Sequence, residues 1–125
     1  MNIKLKLSIS VIGVCCFGLS CKHKTAFETL AAVHYNSDIA PIISSNCTFS
    51  SCHGDSAFVK FKLPDYDAVM KYCEVQANSP EKSKLYNVIN TFNDDKIMPK
   101  KPYSQLTEKQ MQLIYVWIGQ GAKNN

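Results

Sequence analysis

The run Cys47-Thr48-Phe49-Ser50-Ser51-Cys52-His53 constrains this chain more than any other stretch. Two sulfurs and an imidazole must be presented together by one short loop, whatever surrounds it. Three chemistries use such a loop. One is covalent haem attachment, whose signature is C-x-x-C-H. There the cysteines add to the two vinyl groups as thioethers, and the histidine becomes the proximal iron ligand. The second is a zinc site of Cys47, Cys52 and His53 with Cys73 or His34. A closed zinc site uses four ligands, often as two closely spaced pairs, and the second pair is missing here. The third is a Cys47–Cys52 disulfide beside an idle His53, which leaves the Cys-His adjacency without a reason. Haem attachment accounts for all three residues. The spacing of four instead of two then requires the extra residues to loop out, and Ser50-Ser51 is compatible with a turn.

Cysteine usage also depends on compartment. Lys4 and Lys6 form a positively charged start, and Leu7 to Leu19 is an apolar stretch of secretory length, too short to span a bilayer. Gly18-Leu19-Ser20-Cys21 resembles a bacterial lipoprotein cleavage box, with Gly18 where a large aliphatic is usual. The resemblance implies a signal peptide over 1–20 and a lipid on Cys21, placing the protein at the periplasmic face of a membrane. Ordinary signal-peptidase cleavage, giving a soluble periplasmic protein, is the alternative. Either route leads to an oxidising compartment. With Cys21 lipidated, Cys47, Cys52 and Cys73 remain, and an odd number does not suit a disulfide framework. Two thioether cysteines and one spare suit it better.

The chain has 125 residues, with 14 basic side chains, all lysine, and a formal net charge of +4. That is one small domain, for which a covalently held cofactor is a stabilising aid. There is no dense basic run or aromatic-basic stripe, so nucleic-acid binding is not expected.

Residues 22–35 read as a tether and 36–125 as the domain. Alternating strand patterns are absent, which predicts an all-α fold of three to five short helices. Ser37-Asp38 supplies a cap ahead of Ile39, Ile42 and Ile43, a helix that delivers Cys47. Asp65 caps a second, with Tyr66, Val69, Met70 and Cys73 on one face. Ser79-Pro80-Glu81 opens a third, with Leu85, Val88, Ile89 and Phe92 inward. Residues 93–105 form a loop containing Met98, Pro99 and Pro102. Thr107 and Gln110 make a capping box for the last helix, with Leu106 stapled onto Met111. Its inner face is Met111, Ile114, Tyr115 and Ile118 beside Trp117, and Gly119 and Gly121 end it.

Taken in order, these stretches resemble a class I, single-haem cytochrome c domain over residues 38 to 122, of the kind found in bacterial exported lipoproteins. The matching pieces are Asp38-Ile39-Ala40-Pro41-Ile42, Cys52-His53-Gly54, Leu63-Pro64-Asp65-Tyr66, Ser79 to Tyr86, Ile97-Met98-Pro99, and Leu106 to Glu108 with Trp117 to Ala122. The resemblance implies one haem c held by Cys47 and Cys52, with His53 as proximal and Met98 as distal iron ligand. It implies an electron carrier for redox protein partners. With Met98 in the sixth position and no catalytic acid/base pair or nucleophile in the sequence, neither an enzyme nor a small-molecule substrate is expected. A stapled binding module is one alternative. A haem sensor or peroxidase-like enzyme with an open sixth position is another.

Met98 continues no helical face, unlike Met70 and Met111, and a stiff proline loop can aim it inward. His34 and His23 read as solvated tether residues, and Cys73 as a buried small hydrophobe. Tyr66, Tyr86, Phe58, Phe61, Leu63 and Trp117 are expected to wall the haem or simply fill a core. Lys60, Lys62, Lys96, Lys100 and Lys101 flank the two loops, as a docking ring for an acidic partner or as a solvated face.

Overall fold

In the computed structural model the described residues are 26–56 and 60–125. The expected signal peptide, Cys21, His23 and Phe58 lie outside them. Among the described residues the architecture is helical and contains no strand. The order is a 3-10 turn (Ala26–Thr29), a π-turn (Tyr35–Ile39) running directly into α1 (Ala40–Asn46), α2 (Tyr66–Tyr72), a 3-10 turn (Pro80–Lys82), α3 (Lys84–Ile89) and α4 (Glu108–Gly119). No helix among the described residues is long and apolar enough to cross a membrane.

Helix starts follow the side chains that can satisfy orphan amides. Asp65 Oδ1 accepts from Ala68 N–H at 2.9 Å and opens α2. The Thr107 capping box is complete: its hydroxyl accepts from Gln110 N–H, and Gln110 Oε1 accepts from Thr107 N–H. At the first helix the outcome differs from the Ser37-Asp38 cap. The helical run begins at Tyr35, because the Asp38 carboxylate reaches back to accept His34 N–H at 2.7 Å.

The third expected helix is two pieces. Ser83 is extended (φ −79, ψ 124) and fully buried, with its Oγ accepting Gln76 N–H at 2.8 Å. That bond outweighs helical continuity and breaks the run between Lys82 and Lys84. The second piece ends at Ile89, so Phe92 is fully exposed instead of facing inward. At the C-terminus, Gly121 adopts φ +99, a left-handed turn that glycine tolerates best. Gly119 has a packing role, since a Cβ there would lie 2.4 Å from the Phe27 ring.

Helix α4 is the centre of the core. Ile114, Trp117 and Ile118 are buried and meet Ile39, Ile43, Val69 and Leu85. Full burial of one such side chain is worth about 1.5–3 kcal/mol. Tyr35 and Tyr66 meet edge-to-face at 5.0 Å, and both rings pack near Trp117. Tyr66 Oη donates to Ala122 O and Trp117 Nε1 to Lys123 O, so both buried polar tips are satisfied. On the outer side Tyr115 Oη donates to the Glu81 carboxylate, which holds that acid below the usual carboxylate range.

Residues 26–35 are not a loose leash. Val33 and Tyr35 are buried. Gln120 Oε1 accepts Val33 N–H at 2.9 Å, while Gln120 Nε2 donates to Phe27 O and Ala31 O. Asn125 accepts from Tyr35 N–H and Asn36 N–H. Phe27 packs on Tyr115 with ring centroids 5.5 Å apart. The sequence concealed this because the segment has no amphipathic period. Its anchors are backbone groups that meet side chains from the far end of the chain.

Gln120→Ala should therefore release this segment. It leaves Val33 N–H without its acceptor, a cost of about 1–3 kcal/mol. The check is a thermal melt together with faster hydrogen exchange at Val33 and Tyr35, the α3 amides staying protected.

Candidate functional site

Helix α1 ends on Cys47, whose N–H donates to Ile43 O at 2.8 Å. From there the chain makes a compact loop. Phe49 O accepts Cys52 N–H at 2.8 Å, a β-turn with Ser50 and Ser51 at its exposed corners. Cys47 O accepts His53 N–H at 3.0 Å, and His53 O accepts Leu63 N–H at 2.9 Å. The four-residue spacer thus projects as a turn, while Cys47 and His53 close beneath it. Gly54 is buried under the loop, and a Cβ there would lie 2.4 Å from Thr48 O. No other residue fits this approach without moving backbone.

The His53 ring is fixed on two sides. It stacks on Phe61 with centroids 4.4 Å apart and planes 10° apart, and Phe61 stacks in turn on Tyr72. His53 Nδ1 is 3.0 Å from Phe61 O. A carbonyl can only accept, so Nδ1 carries a proton, and in the neutral ring the lone pair is on Nε2. A backbone carbonyl on the other ring nitrogen is the usual support of a metal-ligating histidine.

Met98 arrives from the second loop. Its N–H donates to Val88 O at 2.8 Å, which ties it to α3. Pro99 is buried, and its carbonyl accepts from Gln105 Nε2 at 2.6 Å. Between the two loops lies a cavity of about 330 Å³. Its wall includes Cys47, Cys52 and His53 from the first loop, Met98, Pro99 and Tyr103 from the second, and Ile89 from α3. The sulfur and imidazole residues singled out in the sequence thus share one cavity. A second hollow of about 520 Å³ also touches His53, but neither cysteine nor Met98 lines it.

Cys47, Cys52 and Cys73 are free thiols. Burial, with Cys52 as a smaller contributor, pushes Cys47 up to about 11. Burial, followed by Cys47, pushes Cys73 up to about 12. Both are therefore neutral near pH 7, and Cys47 adds no negative charge to the mostly apolar cavity, which Cys73 does not line. Among the described residues, no three His, Cys, Asp or Glu side chains converge as a metal-ion site.

The remaining candidates distribute unevenly. His34 is exposed and absent from the cavity wall. Tyr66 and Trp117 belong to the core behind α4, and Tyr86 packs on Tyr115. Leu63 lines the second hollow, and Phe61 acts through His53. Of the five lysines, Lys100 and Lys101 border the cavity, and Lys60, Lys62 and Lys96 are exposed. Lys100 Nζ donates to Asp94 O, and Lys101 lies 3.6 Å from the Asp94 carboxylate. Sequence reading missed Ile89 as a wall residue, assigning it only to the core, and missed Tyr103 altogether. Tyr103 shares the proline loop with Met98, which was the available signal.

The site fits a haem on the chemistry of its donors. Two cysteine sulfurs, an imidazole whose Nδ1 is tied to Phe61 O and a thioether meet in one mostly apolar cavity of about 330 Å³, within the roughly 300–1,000 Å³ range of ligand sites. No protein-family model, curated protein or solved structure matches the chain.

Gly54→Ala should drive its new methyl into Thr48 O and distort the attachment loop. The expected cost is about 1–3 kcal/mol, read as a lowered denaturation midpoint. A change in the His53 ring resonances by NMR would accompany it.

Proposed function

We propose that this protein is an exported, membrane-tethered monohaem cytochrome c that carries single electrons between redox protein partners. One observation carries the reading: Cys47, Cys52, His53 and Met98 line a single cavity. The resemblance of residues 38 to 122 to a class I cytochrome c domain supports it. A haem held there supplies a one-electron ferric/ferrous couple.

In this reading Cys47 and Cys52 would hold the cofactor covalently through their sulfurs, as two thioethers. His53 offers Nε2 to the iron, with Phe61 O keeping the proton on Nδ1. Met98 offers a soft thioether, which favours the ferrous state and raises the reduction potential. Ile89, Pro99 and Tyr103 contribute apolar wall to the cavity, which would limit the solvent rearrangement that accompanies a change of charge. Lys100 and Lys101 beside the cavity form part of a surface suited to an acidic partner. With His53 and Met98 both serving as ligands, the protein would be a carrier and not an enzyme, with no small-molecule substrate. Cys21 bears the lipid that keeps it at the periplasmic face.

Denatured protein should keep a haem peroxidase stain on a gel, and Cys47→Ser should shift the reduced pyridine-complex α band to the red. Haem lost to acid-acetone would refute covalent attachment. Met98→Ala should let carbon monoxide bind the reduced protein and should lower its potential. An unchanged spectrum and potential would assign the sixth position to another residue.

Anchoring is tested separately. Cys21→Ser should move the protein from the membrane to the soluble periplasmic fraction with its visible spectrum intact. Continued membrane association would point to a retained signal segment or a membrane partner.

A further inference from the structure

Tyr103 touches the attachment loop twice. Its ring stacks on Phe49, with centroids 4.6 Å apart and planes 15° apart. Its hydroxyl lies 2.8 Å from Ser51 Oγ. Phe49 and Ser51 both belong to the four-residue spacer between Cys47 and Cys52. Tyr103 belongs to the Met98 loop, where its N–H donates to Lys100 O at 3.0 Å. Both Ser51 and Tyr103 line the cavity.

The other ties on the Met98 loop lie on its own side. Met98 N–H is held by Val88 O, and Pro99 O by Gln105. Among the hydrogen bonds and ring pairs of the described residues, the two Tyr103 contacts alone join the loops that enclose the cavity. They also give the long spacer a use. The four-residue spacer supplies both Phe49 and Ser51 to the contact with Tyr103. Phe49 is otherwise an exposed ring with little to cover it.

We propose that Tyr103 is a positioning residue for Met98. Its stack on Phe49 and its hydroxyl bond to Ser51 clamp the Met98 loop to the cysteine spacer and hold the thioether in the cavity against competing ligands. This rests on the haem reading above. A stacked aromatic pair and one hydrogen bond are together sufficient for roughly a tenfold effect on loop opening. The hydroxyl and the ring contribute separately, so conservative variants divide them.

The test uses the full chain as purified, with Tyr103→Ala, Tyr103→Phe, Ser51→Ala and the Tyr103→Phe/Ser51→Ala double variant. Hydrogen exchange is followed over residues 96–105, and imidazole binding to the oxidised protein is titrated by visible absorption. Tyr103→Ala should speed exchange in that loop roughly tenfold, leave α4 unchanged, and tighten imidazole binding by a similar factor. Tyr103→Phe and Ser51→Ala should show smaller and equal effects, and the double variant should be no worse than either, because they remove the same bond. If Tyr103→Ala does not fold, Phe49→Ala takes its place, removing the ring from the exposed side. A lowered melting temperature with unchanged loop exchange and unchanged imidazole affinity would overturn the proposal and leave Tyr103 merely structural. A wild-type protein without haem would overturn the reading of the site and not the clamp, which the exchange rates alone then support or overturn.

Discussion

The packing of α4 against the helical run from Tyr35 to Asn46 is the contact on which the rest depends. Ile114, Trp117 and Ile118 of α4 are almost wholly buried, and so are Ile39 and Ile43 opposite. These short helices would not persist in isolation. Their stability comes from this shared apolar surface. Because α1 ends on Cys47, the same contact sets where the attachment loop leaves the core. Residues 26–35 close over the outside as backbone groups that meet the side chains of Gln120 and Asn125, with Asn36 N–H on the Asn125 carbonyl, so these two segments brace each other.

The cavity is a consequence of how two irregular segments leave that core. One is gathered by its own hydrogen bonds around Gly54, which only a residue without a Cβ could occupy. The other is drawn from α3 at Val88 and returned to α4 through Gln105. Neither is regular secondary structure, and a helical frame bearing loops is a common way to present reactive side chains. What distinguishes this pair is polarity and softness. Two cysteine sulfurs, a thioether and an oriented imidazole share a mostly apolar space that Lys100 and Lys101 border.

Part of this was legible from residues alone. The Asp65 cap and the Thr107 box are local devices, in which a side chain and an amide three residues away settle the matter. The turn at Ser50-Ser51 is equally local. The failures share a cause as well. Ser83 breaks the third helix because its hydroxyl finds Gln76, and Phe92 is left outside because α3 stops at Ile89. Residues 26–35 are docked because Gln120 and Asn125 happen to lie beneath them. Each depends on a partner distant in sequence or on a bond that competes with helix continuation.

The sequence by itself determined the helical character, the Asp65 and Thr107 caps, and the chemical inventory of two spaced cysteines, an adjoining histidine and a methionine before proline. Those properties are set by neighbours along the chain, where spacing translates directly into geometry. Only the tertiary structure decided that Met98 shares a cavity with Cys47, Cys52 and His53, that Phe61 O assigns the proton of His53, and that Tyr103 meets Phe49 and Ser51. Those relations join segments tens of residues apart. Their distances are fixed by how helices pack around Trp117, a many-body result that no local spacing encodes.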